Sequence, residues 1–314
     1  MHTSEESRNA NLHESMNRRA MQYNSVNHRI NGERRFVRRL TINYQTYQPH
    51  PDLESLVKCY WTLEVPATQE PQRQRIIPDG CLEMAFILGD DIRRYTSEDE
   101  YVIQPRAMVL GQITEPFFIE PTGYVCSFAI RFYPYGLANF LSIPIKALAN
   151  TETPLTDLFD ENTANSLAQR IINAEDTEAR IAVIEEFLFN TLSDQVSIDH
   201  IVKATIDLMF STDGTISIGE MLNHQPSKRR QLERKFTAQV GISPKQLSKV
   251  IRLQSVLSRI LNRRSESLSH IAYDSDYYDQ AHFTKDFKEL TGMTPGEFFK
   301  FENEEMMLSL QFYK

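Results

Sequence analysis

The stretch YDQAHFTKDFKELTGMTPGEF, residues 278–298, sets Phe283, Phe287 and Leu290 at i, i+4 and i+7, the spacing of one apolar helix face. Asp279 precedes that face with a side chain suited to an N-cap. Gly292 suits a C-terminal stop, and Pro295 cannot continue the helix. The spacing therefore predicts a short, bounded helix whose outer face carries Gln280, His282, Thr284, Lys285 and Lys288. A solvated surface helix has the same pattern, so the meaning of the stretch depends on the chain upstream.

Upstream, the unit occurs once more. ISIGEMLNHQPSKRRQLERKFTAQVGISPKQL and ESLSHIAYDSDYYDQAHFTKDFKELTGMTPGEF each read as a short amphipathic helix, a polar turn and a second helix. The second helices carry the pairs Leu232/Phe236 and Phe283/Phe287. Each copy then ends in Gly-x-Ser/Thr-Pro, at Gly241 to Pro244 and Gly292 to Pro295. Short helix, tight turn and second helix form the helix-turn-helix unit, whose second helix enters the major groove. On that reading the phenylalanines hold a helix onto its domain, and the polar face is presented to base edges.

The segments LSHIA, DQAHFTKDFKELTGMTPGEF, QLERKF, VGISPKQL and IRLQ together resemble the DNA-binding domain of the AraC/XylS family of transcriptional regulators, over roughly residues 200–300. The resemblance implies an all-helical domain in which a long helix joins two helix-turn-helix units. Two departures stand out. The second turn has Asp276-Tyr277 where the family usually has Gly-Phe or Gly-Tyr, and the first turn, NHQPSKRR, lacks the usual glycine. The segments HPDLESLVKCYWTLEV, IIPDGCLEMAFIL, VLGQITEPFFI and IRFYPYGLANFL are similar to a sensor-type domain found fused to such regulators.

Charge distribution points the same way. The net charge is −8, but residues 226–264 hold eleven Lys/Arg against Glu233 alone, while residues 41–225 hold eleven bases against 27 acids. A compact basic block beside an acidic body is the electrostatic footprint of a nucleic-acid surface. Within it, Arg230, Gln231 and Arg234 are candidates for base contact in the first unit, with Gln280, Thr284 and Lys285 in the second. Lys228, Lys235, Lys249, Arg252 and Lys288 are candidates for phosphate contact. His282 is placed to reach a phosphate or to cap the preceding turn. It has no His or Cys at i±4, which argues against a metal.

Residues 1–36 are polar, without a sustained period, and read as a disordered arm. From 37 to 195 a β-rich sensor and dimerisation domain is expected. Runs such as LTINY, KCYWTLEV, CLEMAFIL, AMVLGQI and CSFAIRFY, parted by turn residues, suggest a barrel or sandwich. Residues 136–195 turn helical, and Ile181, Ile184, Phe187, Leu188 and Leu192 form one stripe, read either as packing onto the β-domain or as a dimer seam. Tyr60, Trp61, Phe86 and Phe128 serve equally as dry core or as the wall of an apolar effector cavity. His50 and the turn Pro78-Asp79-Gly80 read as loop-shaping, with ligand contact as the alternative. Residues 197–301 form the helical domain, with seven helices expected, and 302–314 a tail.

The chain has no signal-peptide core and no apolar run long enough to span a membrane, so a cytoplasmic location and no membrane partner are expected. Cys59, Cys81 and Cys126 are odd in number, without a CxxC pair, and read as buried free thiols. GxSxG, P-loop, GxGxxG and HExxH are absent, so neither an enzyme nor a cofactor is expected. The expected fold is thus multi-domain α and β: a barrel- or sandwich-like N-terminal domain with packed helices, then an all-α domain with two helix-turn-helix units. The expected function is sequence-specific DNA-binding transcriptional regulation, with double-stranded DNA, a second copy of the chain, RNA polymerase and a small-molecule effector as partners. The alternative is a ligand-binding or enzymatic β-domain whose helical tail no longer binds operator DNA.

Overall fold

The structure is a computed structural model that describes residues 42–192, 198–222, 226–262 and 280–300. The predicted N-terminal arm, the C-terminal tail, the Asp276-Tyr277 turn with its preceding helix, and Asp279 lie outside these residues.

Among the described residues, ten strands form two antiparallel sheets. The larger has the order β1 (Asn43–Tyr47), β2 (Val57–Val65), β9 (Val125–Phe132), β4 (Leu82–Ile87), β7 (Ala107–Leu110), β10 (Glu152–Pro154). The smaller runs β3 (Gln74–Ile76), β8 (Phe117–Pro121), β5 (Ile92–Tyr95), β6 (Tyr101–Ile103). Because side chains alternate across a strand, the larger sheet buries two separate apolar faces. Tyr60, Leu82, Met84, Phe86, Phe128, Ile130 and Phe132 face one way. Trp61, Leu63, Ala85, Ile87 and Ala129 face the other, where Ile92 of β5 and Ile119 of β8 close the second sheet over them. Burial on both faces is why these strands read as nearly continuous apolar runs.

Helices α1 (Glu161–Asn173) and α2 (Thr177–Thr191) cover the first face. They pack Ala164, Leu167, Ile171, Ile184, Phe187 and Leu188 against it. Asp160 caps α1 through the amides of Asn162 and Thr163, and Asp176 caps α2 through that of Ala179. The stripe that had two readings is therefore spent on the protein's own core, with Ile181 and Leu192 at its margin. Tyr60, Phe86 and Phe128 lie under these helices and Trp61 on the opposite face, so the four cannot line one cavity. Residues 137–154 also depart from the helical expectation, forming 3-10 turns at Leu137–Asn139 and Ile145–Leu148 and then β10.

A buried ion-pair cluster lies on the Trp61 face of the larger sheet. Arg131 is almost sealed from solvent, with 2% of its side chain exposed, and pairs with Glu83 at 2.6 Å and Asp79 at 3.2 Å. The Trp61 indole donates to the same Glu83 carboxylate at 3.0 Å. Burial pushes the Glu83 carboxyl above its usual range. Cys59, Cys81 and Cys126 are unbridged, and half-buried where full burial was expected. Burial pushes the Cys81 thiol up to about 12, so it is no thiolate at neutral pH.

The helical part contains α3 (His200–Ser211), α4 (Ile218–Met221), α5 (Pro226–Val240), α6 (Pro244–Asn262), α7 (Gln280–Thr291) and α8 (Pro295–Lys300). It has two cores. Val202, Ile206, Met209, Leu232, Phe236, Val240, Leu247 and Ile251 form the first. Val250, Leu253, Val256, Leu257, Ile260, Phe283, Phe287, Leu290, Met293 and Phe298 form the second. Helix α6 runs through both, as the expected long connector. Among the described residues no helix is long and apolar enough to cross a membrane.

Candidate nucleic-acid interface

The two Gly-x-Ser/Thr-Pro marks build the same joint. Gly241 (φ +95°) and Gly292 (φ +75°) end α5 and α7 in the left-handed region, where a Cβ is disfavoured. Ser243 and Thr294 then open α6 and α8. Ser243 Oγ accepts from the Gln246 amide while Gln246 Oε1 accepts from the Ser243 amide. Thr294 and Glu297 exchange the same pair of bonds. These are reciprocal caps, with Pro244 and Pro295 at the first helical position, where a missing N–H costs nothing. The short helix α4 also opens on such a box, between Ser217 and Glu220.

Each second helix is seated by its apolar face. Leu232, Phe236 and Val240 anchor α5, while Phe283, Phe287 and Leu290 anchor α7. The Phe283 and Phe287 rings meet edge to face at 5.6 Å, and Phe298 of α8 adds a second such contact to Phe287 at 5.2 Å. The opposite faces stay in solvent. Lys228, Arg230, Gln231 and Arg234 are exposed on α5, as are Gln280, His282, Lys285 and Lys288 on α7. Thr284 is half-buried and turns its hydroxyl back to the Gln280 carbonyl at 2.8 Å. His282 Nε2 lies 3.4 Å from the Asp286 carboxylate on its own helix.

Three expected phosphate contacts belong to the fold instead. The Lys235 ammonium sits 2.5 Å from Asp199, the N-cap of α3. Lys249 bridges Asp286 and Glu289 across α6 and α7. The Arg252 guanidinium donates twice to the Gly214 carbonyl, at 2.8 and 3.1 Å. Tertiary folding supplies these acceptors, so basic-residue spacing gave no warning of them. Two residues not singled out as contacts extend the exposed basic set: Lys245 near the start of α6, and Arg229, which pairs with Glu233 at 3.1 Å. Their membership of the basic block was the signal available. Among the described residues no group of three His, Cys, Asp or Glu is placed to hold a metal.

Two family models match. Residues 227–300 match a helix-turn-helix domain, and residues 45–154 match a domain of unknown function, DUF6597. Together with the geometry, the first match makes this a protein with a C-terminal helix-turn-helix domain. The matched residues contain the segments QLERKF, VGISPKQL, IRLQ and DQAHFTKDFKELTGMTPGEF, which resemble the AraC/XylS DNA-binding domain. Over 101 residues the chain is 30% identical to the HTH-type transcriptional regulator MtrA of Neisseria gonorrhoeae, covering 32% of each protein. The chain thus spans about a third of that relative's length. Two solved structures of ToxT from Vibrio cholerae are similar at 14% identity. One covers 77% of this chain and 98% of its own at a TM-score of 0.42; another, with bound unsaturated fatty acid, covers 76% and 94% at 0.38.

Proposed function

We propose that the protein is a sequence-specific DNA-binding transcriptional regulator that reads two successive major-groove segments with α5 and α7. The observation that carries this reading is the repeated joint. Two helices, each fixed by an apolar face, end in the same glycine, cap and proline, and each turns a basic, polar face to solvent. Arg230, Gln231 and Arg234 on α5, with Gln280 and Lys285 on α7, are proposed for base edges. Lys228, Lys288 and His282 are proposed for phosphates, the backbone contacts supplying most of the affinity and the base contacts the choice of sequence.

The β-domain is proposed as the effector-sensing part, and self-association and contact with RNA polymerase as further properties of the regulator. Since the α2 stripe is spent, the exposed edge strand β6, with Tyr101, Val102 and Ile103, is the better surface for a second copy. The experiment is a mobility-shift competition between a selected duplex and random duplexes over a salt series. A regulator prefers the selected duplex by at least ~10³-fold. Equal affinity for both leaves only a basic surface, and the tail-like alternative then holds.

A further inference from the structure

The first and second cores of the helical part are joined covalently through α6, yet the β-domain also holds each of them. Tyr135 enters the first core, and Ile145 of the 3-10 turn Ile145–Leu148 abuts Gly241 at the end of α5. The second core is held by residues 75–80, the end of β3 and the turn after it. Arg75 Nη1 donates to the Thr291 carbonyl at 2.6 Å, at the C-terminal end of α7. Ile77 is buried within the second core, together with Val250, Leu253 and the Phe283/Phe287 pair. Gln254 of α6 donates to the Pro78 carbonyl at 2.6 Å. A Cβ on Gly80 would meet Leu247 at 3.0 Å and Val250 at 3.6 Å, one residue from each core. The turn therefore lies on α6 where the two cores meet.

Its other side is anchored in the β-domain. Asp79 pairs with buried Arg131 and accepts from the Cys81 amide at 2.9 Å, while Gln112 donates to the Gly80 carbonyl at 3.0 Å. None of these bonds covers the outer faces of α5 or α7, which stay exposed. The arrangement holds the two helices without hiding them.

We propose that residues 75–80 are a strap that sets the orientation of α7 relative to α5, with Arg75 and Ile77 as positioning residues. Its consequence rests on the DNA-reading assignment above; its geometry does not. A fixed orientation between two reading helices becomes a preference for one spacing between the two DNA segments, near one helical turn. The strap makes that spacing a property of the full chain, through the β-domain.

The test uses the full chain, an Arg75→Met/Gln254→Met double variant that removes two hydrogen bonds while keeping the bulk of the buried Gln254 side chain, and Arg75→Lys, which keeps one donor. Distance labels attached by non-cysteine chemistry at Lys228 and Lys288 report the geometry without DNA. The intact chain gives one narrow distribution, the double variant a broad one, and Arg75→Lys a partial return. In duplexes whose two segments are moved apart base pair by base pair, the intact chain favours one spacing by ~10-fold or more, and the double variant flattens this to about twofold. A double variant with cooperative unfolding, a narrow distribution and an unchanged spacing preference overturns the strap. If the intact chain selects no duplex, the DNA reading fails, and the label distances alone decide the strap.

Discussion

Lys249 of α6 lies 2.9 Å from the Asp286 carboxylate of α7, and the same ammonium reaches Glu289 at 2.7 Å. A residue that sequence alone places on the DNA-facing surface is thus a brace between the connecting helix and the second reading helix. Lys249→Ala should leave Asp286, which is buried, with only His282 beside its carboxylate, and destabilise the protein by about 2–4 kcal/mol. Lys245→Ala, at an exposed position on the same helix, should stay within about 0.5 kcal/mol. Urea unfolding of the two variants side by side gives the comparison; equal midpoints would remove the brace.

Phe283→Ala and Phe287→Ala should each cost ~3–5 kcal/mol, because a fully buried ring leaves a cavity in the small second core. Thermal unfolding followed by circular dichroism measures this. A loss below about 1 kcal/mol would mean that the second core collapses around the gap.

Asp199 gives a pH dependence. Burial alone would raise its pKa, but the Lys235 ammonium and the amides of Val202 and Ile201 win and hold the carboxyl below its usual range. A carboxyl depressed on folding contributes stability that is present above its unfolded pKa of about 4 and is lost as pH falls through the lower, folded value. Asp199→Asn should therefore lower stability at neutral pH and flatten the acid limb below about pH 4. Parallel acid limbs for the two proteins would exclude the ion pair as a source of acid sensitivity.

Arg131→Met should expose the opposite risk in the β-domain, leaving Asp79 and Glu83 without their shared cation. The expected loss is about 3–5 kcal/mol, since a buried carboxylate remains unpaired. Adding Asp79→Asn and Glu83→Gln to Arg131→Met removes the stranded charges and should recover part of the loss. Urea unfolding of the single and triple variants measures both. Failure to recover would mean that the cluster's shape matters more than its charge.

The helices of the C-terminal domain were legible because each carries its own punctuation. The i, i+4 pairs Leu232/Phe236 and Phe283/Phe287, the ending glycines and the Ser243 and Thr294 caps are all local signals. The smaller sheet was not legible. Its strands are three to five residues long, and arginines interrupt the apolar alternation. Two of those arginines lie on aromatic rings, Arg94 over Phe117 at 3.7 Å and Arg75 over Phe118 at 4.6 Å, so polar-looking positions bury part of their surface. The β-domain's role in holding both halves of the helical domain was equally hidden, because Arg75 and Thr291 meet across 216 positions of sequence.

The central claim is that α5 and α7 read base edges, and Arg234 is its sharpest probe, exposed on the face opposite Leu232 and Phe236. The measurement is in vitro selection of duplexes by the intact chain and by Arg234→Ala, followed by affinities for each selected base pair. The account predicts unchanged folding, a loss of ~1–3 kcal/mol confined to one base pair, and relaxed choice at that position. A uniform loss across all sequences, with the salt slope reduced by about one unit, would make Arg234 a phosphate contact. An unchanged affinity and an unchanged preference would contradict the claim that α5 reads DNA.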